Sequence, residues 1–140
     1  MESSQRVTDP AEPLDRFLFD GHYRKSDMTV KWQALKPQRH DNKTSVYLTN
    51  RMSVAAIWAL GAQVAVERNQ PLRGRTRCPN RAVIIVGLFV ELDPPPDNHA
   101  CICGWPPVED EPSVMEMAQE LAASCSKVET PPPDHWRSPE

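Results

Sequence analysis

Glycine is scarce in this chain: the 140 residues contain only five. None are clustered, so no glycine-rich loop is present to cradle a phosphate with its backbone amides. An excess of one charge is also missing. Sixteen Lys and Arg face nineteen Asp and Glu, and a net charge of -3 gives no global attraction for a polyanion. The longest apolar run lies within residues 82–92, far short of the roughly 20 residues that cross a bilayer, so no membrane partner is expected. No charged, apolar and small-residue series opens the chain, which predicts a cytoplasmic protein without a secretory signal. In that setting four cysteines read as reduced thiols rather than as a disulfide framework.

Proline, by contrast, is plentiful, with fifteen in the chain. Its placement predicts a flexible tail over residues 1–13, one folded domain over 14–126, and a disordered proline-rich tail over 127–140. A domain of this length can hold a single modest core.

The centre of that domain is the stretch 83–105. Residues 82–92 are apolar on both parities, with Ala82, Ile84, Val86 and Leu88 on one and Val83, Ile85 and Phe89 on the other. Such a run predicts a strand buried on both faces; a short helix is the competing reading, which Gly87 and the β-branched residues disfavour. Pro94 to Pro96 in an extended polyproline form, then Asp97 and Asn98, predict a reversal. Residues 99–105 then pair antiparallel with the preceding strand, projecting His99, Cys101, Cys103 and Trp105 to one side.

Elsewhere the patterns are plainer. Phe17, Leu18, Phe19 and Tyr23 suggest a short anchoring element. Alternation over 29–35 and the run SVYLT over 45–49 predict two strands joined as a long-looped hairpin. A helix follows Ser53, its predicted cap, with Val54, Ile57, Trp58, Gly61, Val64 and Ala65 on one face and Met52 placed to staple Ile57. A second helix is predicted from Ser113, whose spacing to Glu116 fits a capping box. The class is therefore α+β: a small two-layer domain, mainly antiparallel sheet with two packed helices.

Functional signals are sparse. Arg68, Arg73, Arg75, Arg77 and Arg81 form the main local charge concentration, read as a solvated connector, as a phosphate-binding segment for nucleic acid, or as a contact for an acidic protein partner. His99, Cys101 and Cys103 could aim three ligands to one side of a strand. Their spacing is not that of a zinc knuckle, so buried structural thiols are expected and neither metal nor cofactor is assigned. Tyr47, His22 and Glu91 supply the residue types of a nucleotide-dependent transferase without a recognised spacing, and Glu91 with Asp93 reads as strand-end solvation. No catalytic residue is assigned.

VKWQAL followed by SVYLT, then IWALG, the Gly74-Arg75 pair, and HACICGWP before a helix containing QELA, make the chain resemble a group of small uncharacterised bacterial proteins over about residues 17–123. The resemblance implies accessory components of mobile or defence-type loci; it carries no activity over to this chain, and other residues ordinarily fill the cysteine positions. The expected function is a protein-interaction module without catalytic activity, binding by strand addition along edges at 29–35 or 99–105. Nucleic-acid binding through Arg73 to Arg81 is the first alternative, and a thiol-dependent or nucleotide-dependent enzyme the second. The candidate binding residues are Arg73, Arg75, Arg77, Arg81, His99 and Trp105.

Overall fold

A computed structural model describes residues 5–132. In chain order the strands and helices are β1 (Arg6–Val7), β2 (Pro13–Leu18), β3 (Tyr23–Arg24), β4 (Thr29–Val30), β5 (Thr44–Leu48), α1 (Val54–Arg68), β6 (Gly74–Pro79), α2 (Asn80–Ile85), β7 (Phe89–Leu92), β8 (His99–Cys103) and α3 (Glu111–Ala123). Six strands form one antiparallel sheet in the order β1-β7-β8-β5-β2-β6, and β3 with β4 forms a separate hairpin. The α+β class is as the sequence predicts.

Alternation along the strands builds two cores. Leu14, Leu18, Val46, Val90, Ala100 and Ile102 pack with Val114, Ala118 and Leu121 of α3 and with Ala82 and Val83 of α2. The opposite parity, Phe17, Phe19 and Tyr47, packs on Ile57 and Val64 of α1. Helices therefore cover parts of both faces, and α2 is an addition to the two helices expected.

The caps follow local chemistry. The Ser53 hydroxyl accepts from the Ala56 amide at 3.1 Å, and Asn69 closes α1 in the left-handed conformation at φ 55°. The cap of α3 is Asp110 rather than Ser113; its carboxylate accepts from the Ser113 amide at 3.4 Å, with Pro112 in the first turn where no amide is needed.

Several expectations are corrected. Residues 82–92 are not one strand but a helix, a reversal and a strand. Gly87 at φ 95° makes the reversal, a conformation that costs glycine little. The apolar run is instead divided by burial: Ala82 and Val83 are enclosed, whereas Ile84 is 45% and Ile85 78% exposed. Pro94–Pro95 and Pro95–Pro96 are cis bonds rather than an extended polyproline segment.

The 29–35 segment forms only the two residues of β4 before Trp32–Ala34 turns as a 3-10 helix. That turn packs against α3, so the hairpin with 45–49 does not form and β5 pairs with β8 and β2 instead.

Residues within both expected tails contact the domain. Arg6–Val7 pairs with β7, and the backbone amides of Asn80 and Arg81 donate to the carbonyls of Glu12 and Pro10. At the other end Val128 is buried in the main core, and Glu129 bridges Arg75 through both backbone bonds. Residues 133–140 of the predicted C-terminal tail lie outside the described residues.

Candidate functional site

The face of the sheet that meets α1 is unusually polar. Pairing sets Arg77 opposite Asp15, Asp15 opposite Tyr47, and Tyr47 opposite His99. Ser45 faces Cys101, which faces Glu91, which faces Arg6. The α1 core reaches Tyr47. Beyond Tyr47 the face carries His99, Ser45, Cys101, Cys103 and Glu91.

At the β2–β6 end of this face the arginines are occupied. Asp15 is wholly buried and accepts from Arg75 Nη1 at 2.5 Å, Arg77 Nε at 2.7 Å and the Thr49 hydroxyl at 3.0 Å. Arg75 also reaches Glu129 at 2.7 Å and lies 5.3 Å from the Trp58 ring. Arg73 pairs with Asp20 at 2.7 Å. The segment read as a connector is therefore an outer strand whose guanidiniums are held by carboxylates, and only Arg81 of the four candidates stands exposed on α2 without a charged partner among the described residues. A one-sided charge count hid this, because Asp15, Asp20 and Glu129 come from distant parts of the chain.

Arg16 does something different. The β2–β5 ladder stops after Asp15↔Tyr47, and the Arg16 guanidinium fills the split, donating to the carbonyls of Ala34 at 2.9 Å and Ser45 at 2.8 Å. Burial lowers its pKa to about 10.

At the other end β7 and β8 run antiparallel as predicted, and the turn between them brings Asp93 back beside His99. The His99 ring has Nδ1 2.7 Å from the Asp93 carbonyl oxygen and Nε2 2.5 Å from Ser45 Oγ, and it tilts against Tyr47 at 5.1 Å. The Asp93 carboxylate lies 3.6 Å from His99 Nδ1 and accepts from the Cys101 thiol at 3.3 Å. Cys103 points instead to Glu91 at 3.8 Å. The structure thus brings His99 and Cys101 together as the strand parity predicts, replaces Cys103 by Asp93, and leaves Trp105 out. Gly104, at φ 93°, turns the chain so that Trp105 joins the main core.

These thiols are not activated. Burial and the hydrogen bond to Asp93 push Cys101 up to about 12, and burial beside Glu91 raises Cys103. Burial also raises Tyr47. A nucleophilic cysteine needs the opposite surroundings, a cation or helix N-terminus that favours the thiolate.

A cleft of about 520 Å³ lies elsewhere, beside the β3–β4 hairpin and α3, lined in part by Arg24, Asp27, Trp32, Gln119, Cys125 and Lys127. It gathers neither His99 nor Tyr47. No helix among the described residues is long and apolar enough to cross a membrane. No family model, curated protein or solved structure matches this chain.

Proposed function

We propose that this chain is a small interaction module that acts by binding a partner protein, without chemistry of its own. The observation that carries the reading is the pair Ile84 and Ile85, side by side on α2 and left 45% and 78% exposed. Covering both would contribute roughly 3 kcal/mol at the usual value per unit of apolar area. The strand-addition mode loses its footing: β8 is an interior strand paired on both sides, the β6 edge is occupied by residues 126–129, and β4 is two residues long. The isoleucine surface takes its place.

The thiols held protonated argue against a thiol enzyme, and the paired guanidiniums of Arg73, Arg75 and Arg77 leave little free charge for phosphates. Four free cysteines suit a reducing cytoplasm.

The test is site-specific photocrosslinking in source cells, with a benzophenone amino acid replacing Ile85 or, as the control, Val66, which is 79% exposed on α1. One discrete protein adduct from position 85 and none from 66 supports the proposal. Matching adducts from both positions, no adduct from either, or a nuclease-sensitive adduct overturns it.

A further inference from the structure

Asp93, His99 and Cys101 place three different metal-ligand types within 4.8 Å of one another. Their convergence is built by the backbone rather than by chance contact of long side chains. Cys101 and His99 are alternate residues of an interior strand, and the Asp93 amide donates to the His99 carbonyl at 2.8 Å, closing the turn that returns the carboxylate to the strand. Cys101 is 4% exposed, whereas the Asp93 side chain is 55% exposed. The cluster is therefore anchored on the strand below and open above.

Two of the three ligand separations suit tetrahedral coordination. Bonds of roughly 2.3 Å to sulfur and 2.0–2.2 Å to nitrogen and oxygen put the ligand atoms of a tetrahedral ion roughly 3.3–3.7 Å apart. Asp93 Oδ2 lies 3.3 Å from Cys101 Sγ and 3.6 Å from His99 Nδ1. A thiolate with an imidazole disfavours magnesium and calcium, which take oxygen ligands, and favours a borderline-soft divalent ion.

We propose that Asp93, His99 and Cys101 form a Zn²⁺ site with its fourth position open to solvent, a property independent of the partner-binding reading above. Binding displaces the Cys101 thiol proton to water and exchanges the His99 Nδ1 contact with the Asp93 carbonyl for a metal bond. The ring proton then sits on Nε2 and is donated to Ser45 Oγ, already 2.5 Å away. An outer hydrogen bond of this kind orients a histidine ligand and increases its basicity.

The experiment is calorimetric titration of the reduced full-length protein with Zn²⁺, alongside Co²⁺ as an optical probe. Expected are one equivalent of saturable Zn²⁺ and a thiolate-to-Co²⁺ charge-transfer band. Cys101→Ser should remove the band and Asp93→Asn should abolish saturable binding, whereas Ser45→Ala should weaken affinity about 10–100-fold. Cys103→Ser should leave binding unchanged. Asp93→Asn changes a half-exposed group, so its effect cannot be assigned to a lost fold, and circular dichroism checks the others. No saturable binding, a Co²⁺ complex without the sulfur band, or binding unchanged by Asp93→Asn or Cys101→Ser overturns the proposal.

Discussion

Replacing Asp15 by asparagine should be among the most damaging near-isosteric changes in this protein. The side chain is fully buried and holds two guanidiniums of unequal circumstance. Arg77 is 41% exposed and can return to water, but Arg75 is only 7% exposed and keeps a single charged partner, Glu129, which is itself 61% exposed. Arg75 Nε already has no hydrogen-bond partner among the described residues. Loss of the carboxylate therefore strands a buried cation, a change that costs about 3–5 kcal/mol when no partner remains. With Glu129 retained, the low end applies. Asp15→Asn should lower stability by about 3 kcal/mol, or about 10 °C in Tm for a chain of this size.

Urea denaturation followed by far-ultraviolet circular dichroism measures it. Joining Asp15→Leu to Arg75→Met should recover most of the loss, because apolar packing replaces the stranded charge. An Asp15→Asn protein within about 0.5 kcal/mol of the parent would refute the reasoning.

Further outcomes follow from other contacts. His22 Nδ1 accepts from the Phe19 amide at 2.9 Å, and burial, with Arg16 and Arg68 nearby, lowers its pKa from 6.5 to about 4. The unfolded chain then binds the extra proton between those values, so stability is full above 6.5 and falls as the pH drops toward 4. Discounted for partial exposure, the loss is about 1–2 kcal/mol, and His22→Asn should flatten that part of the stability profile measured by urea melts from pH 7 to 5.

A methyl on Gly61 would sit 2.7 Å from the buried Phe17 ring and 3.0 Å from Leu72, so Gly61→Ala should lower Tm, costing about 1–3 kcal/mol despite the better helix former. Val128→Ala should cost about 2 kcal/mol, where a disordered tail would give no change in the same melt. In the folded protein iodoacetamide, read by mass spectrometry, should label partly exposed Cys125 ahead of Cys78, Cys101 and Cys103, which are buried; early labelling of Cys101 would contradict its raised pKa.

What was legible in the chain was legible locally. Helix α1 needs only Ser53, a repeating apolar face and the exit before Pro71, all within one stretch of sequence. The β7–β8 reversal and the shared side of His99 and Cys101 follow from prolines and strand parity. Strands β2 and β6 were not legible, because PLDRFL and GRTRCP carry charges where a buried strand normally has apolar residues. Those charges are buried only because each finds its opposite across the sheet, Arg75 and Arg77 on Asp15 some sixty residues away.

The apolar run 82–92 misled in the converse way. A short continuous apolar run is common to buried strands and short helices, and here the β-branched preference for strand is overridden by the 5–12 segment, whose carbonyls receive the amides of Asn80 and Arg81 and the Asn80 side chain. The candidate metal cluster divides along the same line. Sequence determined that His99 and Cys101 share a strand face, through the two-residue period of the backbone. Only the tertiary structure decided that Asp93 joins them while Cys103 turns to Glu91, because ligand spacing depends on how the β7–β8 turn closes. Local periodicity determined faces and caps; long-range pairing decided which charges are buried and which ligands meet.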